Sequence, residues 1–360
     1  MKSFAVIMAG GSGERFWPVS RKDRPKQLLK LTHPDETLLE EAVNRIAPLI
    51  SRESVYIATS LPLRKAVQEE GLVPENRVLA EPARRNTLGC LSWAAANLLS
   101  ENEGNDGEIV MAVLTADHKI GQPDRFRETV QLAMDTAART GGIVTIGIKP
   151  TRAETGYGYV ELGSTVQTGS LTVFQVNRFR EKPDTATAEH YVASGNYLWN
   201  SGMFFWTLRG FMKEMSHANP EVYQTILQIA NGLAEGDQEA AIRSFESLPN
   251  ESIDYALLEK ASQVYTVAGD FPWDDVGAWD ALQRSMPGDS QANVVQGQAL
   301  MVDTTGAIVY NDTEDVLVTA IGLQDIVIAV TNGAVMVCHK NDAQRVKEIL
   351  QRLPADSHLR

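Results

Sequence analysis

Short apolar runs that read as buried strands alternate with helical patterns through the first half of the chain. That alternation limits the fold more than any other feature. The strand-like runs are 4–8, 55–59, 77–80, 109–114 and 143–148; helical spacing fills 37–50, 63–70, 87–99 and 125–139. Strand–helix–strand units place successive strands parallel and cover both faces of the sheet. The expectation is an α/β fold with a Rossmann-like mixed, mainly parallel sheet, its ligand beyond the carboxyl ends of the strands. Residues 156–277 mix strand-like and helical pieces and read as the same domain continued. After Pro287 the character changes to short β runs at 294–299, 307–310, 317–321, 326–329 and 334–338, punctuated by Gly, Asn and Asp, then a helix at 343–353. The expected division is a domain over 1–286 and a small β-rich domain over 287–360, of left-handed β-helix-like character and a candidate dimer contact.

Composition narrows the partners. A formal net charge of −13 over 360 residues is the wrong sign for a nucleic-acid binder. No apolar run is long enough to span a membrane, and the start lacks the long apolar core of a signal peptide, so no membrane partner and a cytoplasmic location are expected. The two cysteines, Cys90 and Cys338, have no metal-ligand spacing and read as reduced thiols.

The first strand runs into Met8-Ala9-Gly10-Gly11-Ser12-Gly13-Glu14-Arg15. Glycines at 10, 11 and 13 let backbone N–H groups converge on an anion, and Arg15 adds a charge-assisted contact. The loop lacks the Lys-Ser/Thr of a P-loop. It also lacks the third glycine of the dinucleotide fingerprint, where Phe16 stands, so an NAD-dependent oxidoreductase drops out. Arg21, Arg24 and Lys26 follow closely. Positive charge concentrated beside a glycine nest suits a triphosphate, whereas its bland alternative is a solvated basic loop. Asp117 ends a strand, as a metal ligand or a turn former would.

These segments, Gly10 through Pro18 followed by Pro25-Lys26-Gln27, resemble the signature of the sugar-phosphate nucleotidyltransferases. Trp17-Pro18-Val19-Ser20-Arg21 is most similar to the branch of that family that guanylylates mannose 1-phosphate. Further segments agree in order: Glu81-Pro82-Ala83-Arg84-Arg85-Asn86-Thr87, Thr115-Ala116-Asp117-His118, Glu154-Thr155-Gly156-Tyr157-Gly158-Tyr159, Phe179-Arg180-Glu181-Lys182-Pro183, Trp199-Asn200-Ser201-Gly202, Glu251-Ser252-Ile253-Asp254 and Trp273-Asp274-Asp275-Val276-Gly277. The resemblance covers about residues 4–280 and implies a GT-A-like nucleotidyltransferase domain.

It also implies a reaction: transfer of GMP from GTP to α-D-mannose 1-phosphate, giving GDP-mannose and pyrophosphate, with Mg²⁺ on Asp117 and Asp275. The implied nucleotide contacts are Ala9, Gly10, Gly11, Ser12, Gly13, Glu14, Arg15, Lys26, Glu81, Asn86, Thr87 and Asp117. The implied sugar-phosphate contacts are Gly156, Tyr157, Gly158, Glu181, Lys182, Asn200, Ser201, Gly202 and Asp275. Arg15, Lys26, Asp117, Lys182 and Asp275 would carry the chemistry. The sugar phosphate is already an anionic nucleophile, so in-line positioning and charge stabilisation suffice. Accordingly, no nucleophile–base constellation stands among these motifs, and His118 reads as a positioning group. A Glu81 carboxylate suits the N1–H and N2–H₂ edge of guanine.

Thr115, Phe16 and Leu88-Gly89-Cys90 depart from the common family residues without removing a charge; the last bears on base selectivity. Two alternatives remain open: another nucleotide with another hexose 1-phosphate, such as thymidylyl or uridylyl transfer, and a non-catalytic sugar-nucleotide sensor. Longer relatives carry a cupin-like isomerase domain, for which this chain has no room, so no isomerase activity is expected.

Overall fold

The computed structural model describes residues 1–102, 104, 106–354 and 357–359. They gather into two compact units, one of Met1–Ala9, Val43–Thr115 and Gly121–Phe271, the other of Gly10–Ala42, Ala116–Ile120 and Pro272–Arg360.

The first unit is built on nine strands: β1 (Lys2–Met8), β2 (Val55–Ser60), β3 (Val78–Glu81), β4 (Ile109–Thr115), β5 (Ile143–Ile148), β6 (Tyr159–Gln167), β7 (Val173–Arg180), β8 (Tyr197–Thr207) and β9 (Val264–Gly269). They form one sheet in the order β3-β2-β1-β4-β8-β5-β9-β7-β6. The first four are parallel, as their helical crossovers require. β8 then runs antiparallel between β4 and β5, and β9 restores a parallel pair with β5. This is the mixed α/β sheet expected from the alternation. β4, β5 and the Phe4–Ile7 stretch of β1 are almost wholly buried, which is why they read as continuous apolar runs.

Some element bounds differ from the sequence reading. β8 begins at Tyr197, so Trp199, Asn200 and Ser201 lie within a strand. The helix Leu208–Ala218 follows β8 directly; Thr207 caps it by accepting from Gly210 N at 2.9 Å, with no separating turn to mark it. Asp254–Leu258 winds as a π-helix. The core of this unit joins Val6, Tyr56 and Val113 of the sheet to Leu91, Ala95, Phe211 and Ile226 of the covering helices.

In the second unit, β10 (Val294–Gln296), β12 (Ile308–Asn311) and β14 (Ile326–Thr331) make one parallel ladder, while β11 (Ala299–Val302) and β13 (Val318–Ile321) make another. Ile308 pairs with Val327, Ala299 with Val318 and Thr305 with Gln324, each 19 residues apart, whereas Val294 pairs with Ile308 across 14. Parallel strands stacked coil upon coil are the mark of a β-helix. β15 (Ala334–His339) closes the longer ladder antiparallel to β14, and a 3₁₀ stretch, Lys340–Val346, leads into the helix Lys347–Arg352.

The β-helix and the glycine-loop region share one core. Phe16, Trp17, Leu29 and Leu31 are buried with Trp279, Ile308, Tyr310, Val327, Ala343 and Val346. The rings of Phe16 and Trp279 meet edge-on at 5.1 Å, and Trp279 and Tyr310 lie 5.4 Å apart. Trp279 Nε1 donates to Trp17 O at 3.1 Å, which satisfies the buried indole. Among the described residues no helix is long and apolar enough to cross a membrane.

Candidate active site

The second unit holds an open cavity of about 420 Å³ whose lining includes Gly11, Ser12, Gly13, Glu14, Arg15, Lys26, Asp117 and Asp275. Gly13 shapes it. The residue has φ 63°, and a Cβ placed on it would stand 2.3 Å from Lys26 Cβ and 2.8 Å from Lys26 N. Only glycine allows Lys26 to lie against the loop. Ser20 Oγ donates to Gly13 O at 2.8 Å and fixes the turn, and Phe16 N closes on the same carbonyl at 2.9 Å. Ala9 belongs to the first unit, where its N–H donates to Ala58 O and its carbonyl accepts from Thr59 Oγ1.

Lys26 is 6 % exposed, and its ammonium donates to Asp117 Oδ2 at 3.0 Å and to Asp275 O at 2.8 Å. A short ladder explains how two aspartates so distant in sequence meet one lysine. Lys119 and Ile120 pair antiparallel with Asp274 and Trp273, setting the two chain segments side by side. Asp274 points away from the cavity into an ion pair with Arg284, 2.7 Å long, and also accepts from Val276 N at 2.8 Å. Val276 is buried with φ 48°, a conformation costly for a β-branched residue and held here by that bond and its packing. The turn thus presents Asp275, and Gly277 leaves room beside it: a Cβ there would meet Asp275 Oδ2 at 3.0 Å. Arg15 donates to Gly277 O at 3.4 Å.

Burial raises the Asp117 carboxyl, but the Lys26 ammonium and His118 outweigh it and hold Asp117 below the usual carboxylate range. Its side chain is still 38 % exposed, so it is open to a ligand. Trp273 Nε1 donates to His118 Nδ1 at 3.2 Å, which fixes the tautomer and turns Nε2 toward Asp117, 3.8 Å away. Two carboxylates facing a glycine nest form an open donor set. Mg²⁺ suits it, since that ion takes one or two carboxylates and fills its octahedron with water and phosphate oxygens. Among the described residues no group of three or more His, Cys, Asp and Glu side chains stands ready to cage a metal.

The residues expected to read the base and the sugar belong to the first unit. Glu81 ends β3, where burial pushes its carboxyl up to about 7, partly offset by a hydrogen bond with Cys90 and by Arg84. Asn86 opens the helix Asn86–Glu101 at φ 56°, with Oδ1 accepting from Thr87 N, while Thr87 Oγ1 accepts from Ile253 N at 2.9 Å.

A second cluster gathers around Gly158. A Cβ there would stand 2.6 Å from Glu181 Oε2, so the glycine admits that carboxylate. Glu181 pairs with Lys182 at 2.7 Å, and Lys182 has φ 43°. Asn200 N donates to Gly158 O at 2.8 Å, and Asn200 Oδ1 accepts from Thr145 Oγ1 at 2.7 Å and from Gly202 N at 3.4 Å. Ser201 is buried, its Oγ accepting from Met203 N. The Tyr157 ring stands edge-on to Trp199 at 5.2 Å, and Gly156 N donates to Glu154 Oε1. Asp254 also joins this cluster, though the sequence marked it only as part of a motif. Its Oδ1 accepts from Asn200 Nδ2 at 3.4 Å, and burial with the Glu181 charge pushes its carboxyl up to about 6 against the pull of Lys182. Lys347, on the cavity wall, lies in no motif at all.

A glycine nest, a buried lysine and paired aspartates, borne on a chain with a mixed α/β sheet, suit a protein that binds the phosphates of a nucleotide. Comparison with known proteins makes the class specific. Residues 4–291 match the nucleotidyl transferase family, and residues 297–353 match the MannoseP isomerase/GMP-like beta-helix domain. The mannose-1-phosphate guanylyltransferase of Klebsiella pneumoniae is 36% identical over 97% of this chain and 73% of that protein. The alginate biosynthesis protein AlgA of Pseudomonas aeruginosa is 37% identical over 97% of this chain and 72% of that protein. A solved structure from Thermus thermophilus, described as a mannose-1-phosphate geranyltransferase, superposes with a TM-score of 0.87 at 35% identity, covering 98% of this chain and 99% of that one. The chain belongs to the nucleotidyl transferase family.

Proposed function

We propose that this nucleotidyltransferase transfers GMP from GTP to α-D-mannose 1-phosphate, releasing pyrophosphate and forming GDP-mannose. The observation that carries the reading is the cavity where Arg15, Lys26 and the glycine loop face Asp117 and Asp275. The names of the relatives support the substrate pair.

A phosphate oxygen of the sugar phosphate forms the new bond to the α-phosphorus, and the bond to the β-phosphate oxygen breaks. Lys26, oriented by Asp117 and by the Asp275 carbonyl, offers its charge to the transferring phosphate. Arg15 stabilises the departing pyrophosphate. Lys182, fixed by Glu181, takes the phosphate of the hexose, and Asn200 and Glu181 bond its hydroxyls. Nucleotidyltransferases of this type use a divalent metal. Asp117 and Asp275 would hold Mg²⁺, which when bound neutralises phosphate charge and orients the reacting oxygens.

The test is pyrophosphate release over four triphosphates and several hexose 1-phosphates. GTP with mannose 1-phosphate is expected to be the best pair; turnover of UTP with glucose 1-phosphate and none of that pair overturns the specificity. Asp275→Asn should lower kcat by at least about 10²-fold with an unchanged melting curve. Wild-type rates in Mg²⁺ would remove Asp275 from the metal site.

We further propose that the β-helix joins two copies of the chain. Leu300, Val302 and Ile321 are 61%, 53% and 70% exposed on adjacent strands, with Val302 directly paired to Ile321. An apolar face of that kind is more often covered than left in water.

A further inference from the structure

The cavity carries a third cation that no signature motif contains. Lys347 opens the last helix, Lys347–Arg352, and lines the cavity together with Arg15, Lys26, Asp117 and Asp275. Its placement is fixed from below. Ala343 and Val346, 1% and 2% exposed, are buried in the same core as Phe16, the residue that ends the glycine loop's 3₁₀ turn. A four-carbon stem on such an anchor brings the ammonium to the cavity without ordering a loop.

The three cations are not equivalent. Lys26 is committed to Asp117 and to the Asp275 carbonyl. Among the described residues Lys347 has no carboxylate within 4 Å, so its charge is available to an incoming anion. Charge balance points the same way. The lining holds three carboxylates, Glu14, Asp117 and Asp275, against Arg15, Lys26 and Lys347. Without Lys347 the wall is net negative, yet a nucleoside triphosphate enters with its metal still carrying net negative charge. With Lys347 the wall is neutral before the metal arrives.

We propose that Lys347 is a polyphosphate-binding residue of this cavity, engaging the triphosphate in the forward reaction and pyrophosphate in the reverse. The inference rests on the reading of the cavity as the triphosphate site. It makes the β-helical tail a contributor to nucleotide binding rather than an appendage.

The experiment uses the full chain with Lys347→Ala, Lys347→Arg and Arg15→Ala. Calorimetric binding of inorganic tripolyphosphate in Mg²⁺ gives a readout independent of base and sugar. Lys347→Ala should weaken that binding and raise KM for GTP and for pyrophosphate by about tenfold. KM for mannose 1-phosphate and kcat should stay within about twofold, and the unfolding midpoint should not move. Lys347→Arg should restore most of the affinity, which a merely structural role for the lysine stem would not require. If Lys347→Ala binds tripolyphosphate as wild type does while Arg15→Ala loses it, the proposal is overturned and the triphosphate reading stands. If neither variant changes binding, the triphosphate reading falls and takes the proposal with it.

Discussion

Glu81 sits at the end of β3 with its carboxyl pushed up to about 7 by burial. Folding therefore strengthens its hold on a proton. Between its ordinary value and about 7 the folded chain keeps a proton that the unfolded chain has lost, so this group costs stability as pH rises through that window. Guanine recognition runs the other way, because only the ionised carboxylate accepts from both N1–H and N2–H₂. GDP-mannose, whose diphosphate does not titrate in this range, should bind about tenfold more tightly at about pH 8 than at about pH 6. Glu81→Gln should bind more weakly and show a flat profile; a wild-type profile that is flat would remove Glu81 from the base site. At this scale the resemblance to a known family was informative, since Lys26, Asp117 and Asp275, named through it, line one cavity. Lys347 was not legible, since a lysine among Arg345, Glu348 and Arg352 looks like any solvated helix face. Nor was the use of Asp274 as a clamp for the Asp275 turn, which depends on Arg284 arriving from the following helical turn.

The elements that read most clearly were the buried strands, because β1, β4 and β5 hide both faces and leave no polar alternation. The coils of the tail, of 14 and then 19 residues, did not show as a repeat, because stacked parallel strands need matching register and apolarity, not matching residues or a fixed length. Its core partnership with the glycine loop was hidden for the same reason: apolar contact carries no sequence label. That partnership has a measurable consequence. Tyr310 is 1% exposed against Trp279, which in turn is edge-on to Phe16. Tyr310→Ala should cost about 3–4 kcal/mol of stability, in the range for emptying an aromatic site in a core. It should also raise KM for GTP, because the loop it supports would lose its backing. Unchanged KM in a destabilised variant would show that the loop keeps its shape without the tail.

At the scale of the whole molecule, the exposed apolar face of β11 and β13 asks for a partner. Sedimentation velocity should find the wild type as a dimer at micromolar concentration and Ile321→Lys as a monomer, since a charge there would have to be buried. A wild-type monomer would dismiss the face as an interface. The threading of the chain has a further effect. The second unit takes residues 10–42 from early in the sequence and 272–360 from its end. On a ribosome, Phe16 and Trp17 emerge long before Trp279 and Tyr310 exist to cover them. At about 5–20 residues per second the interval is tens of seconds, ample time for a nascent aromatic pair to find the wrong contact. The phosphate loop is made long before the segments that complete its core, so a chaperone that shields nascent chains is the expected company of that segment.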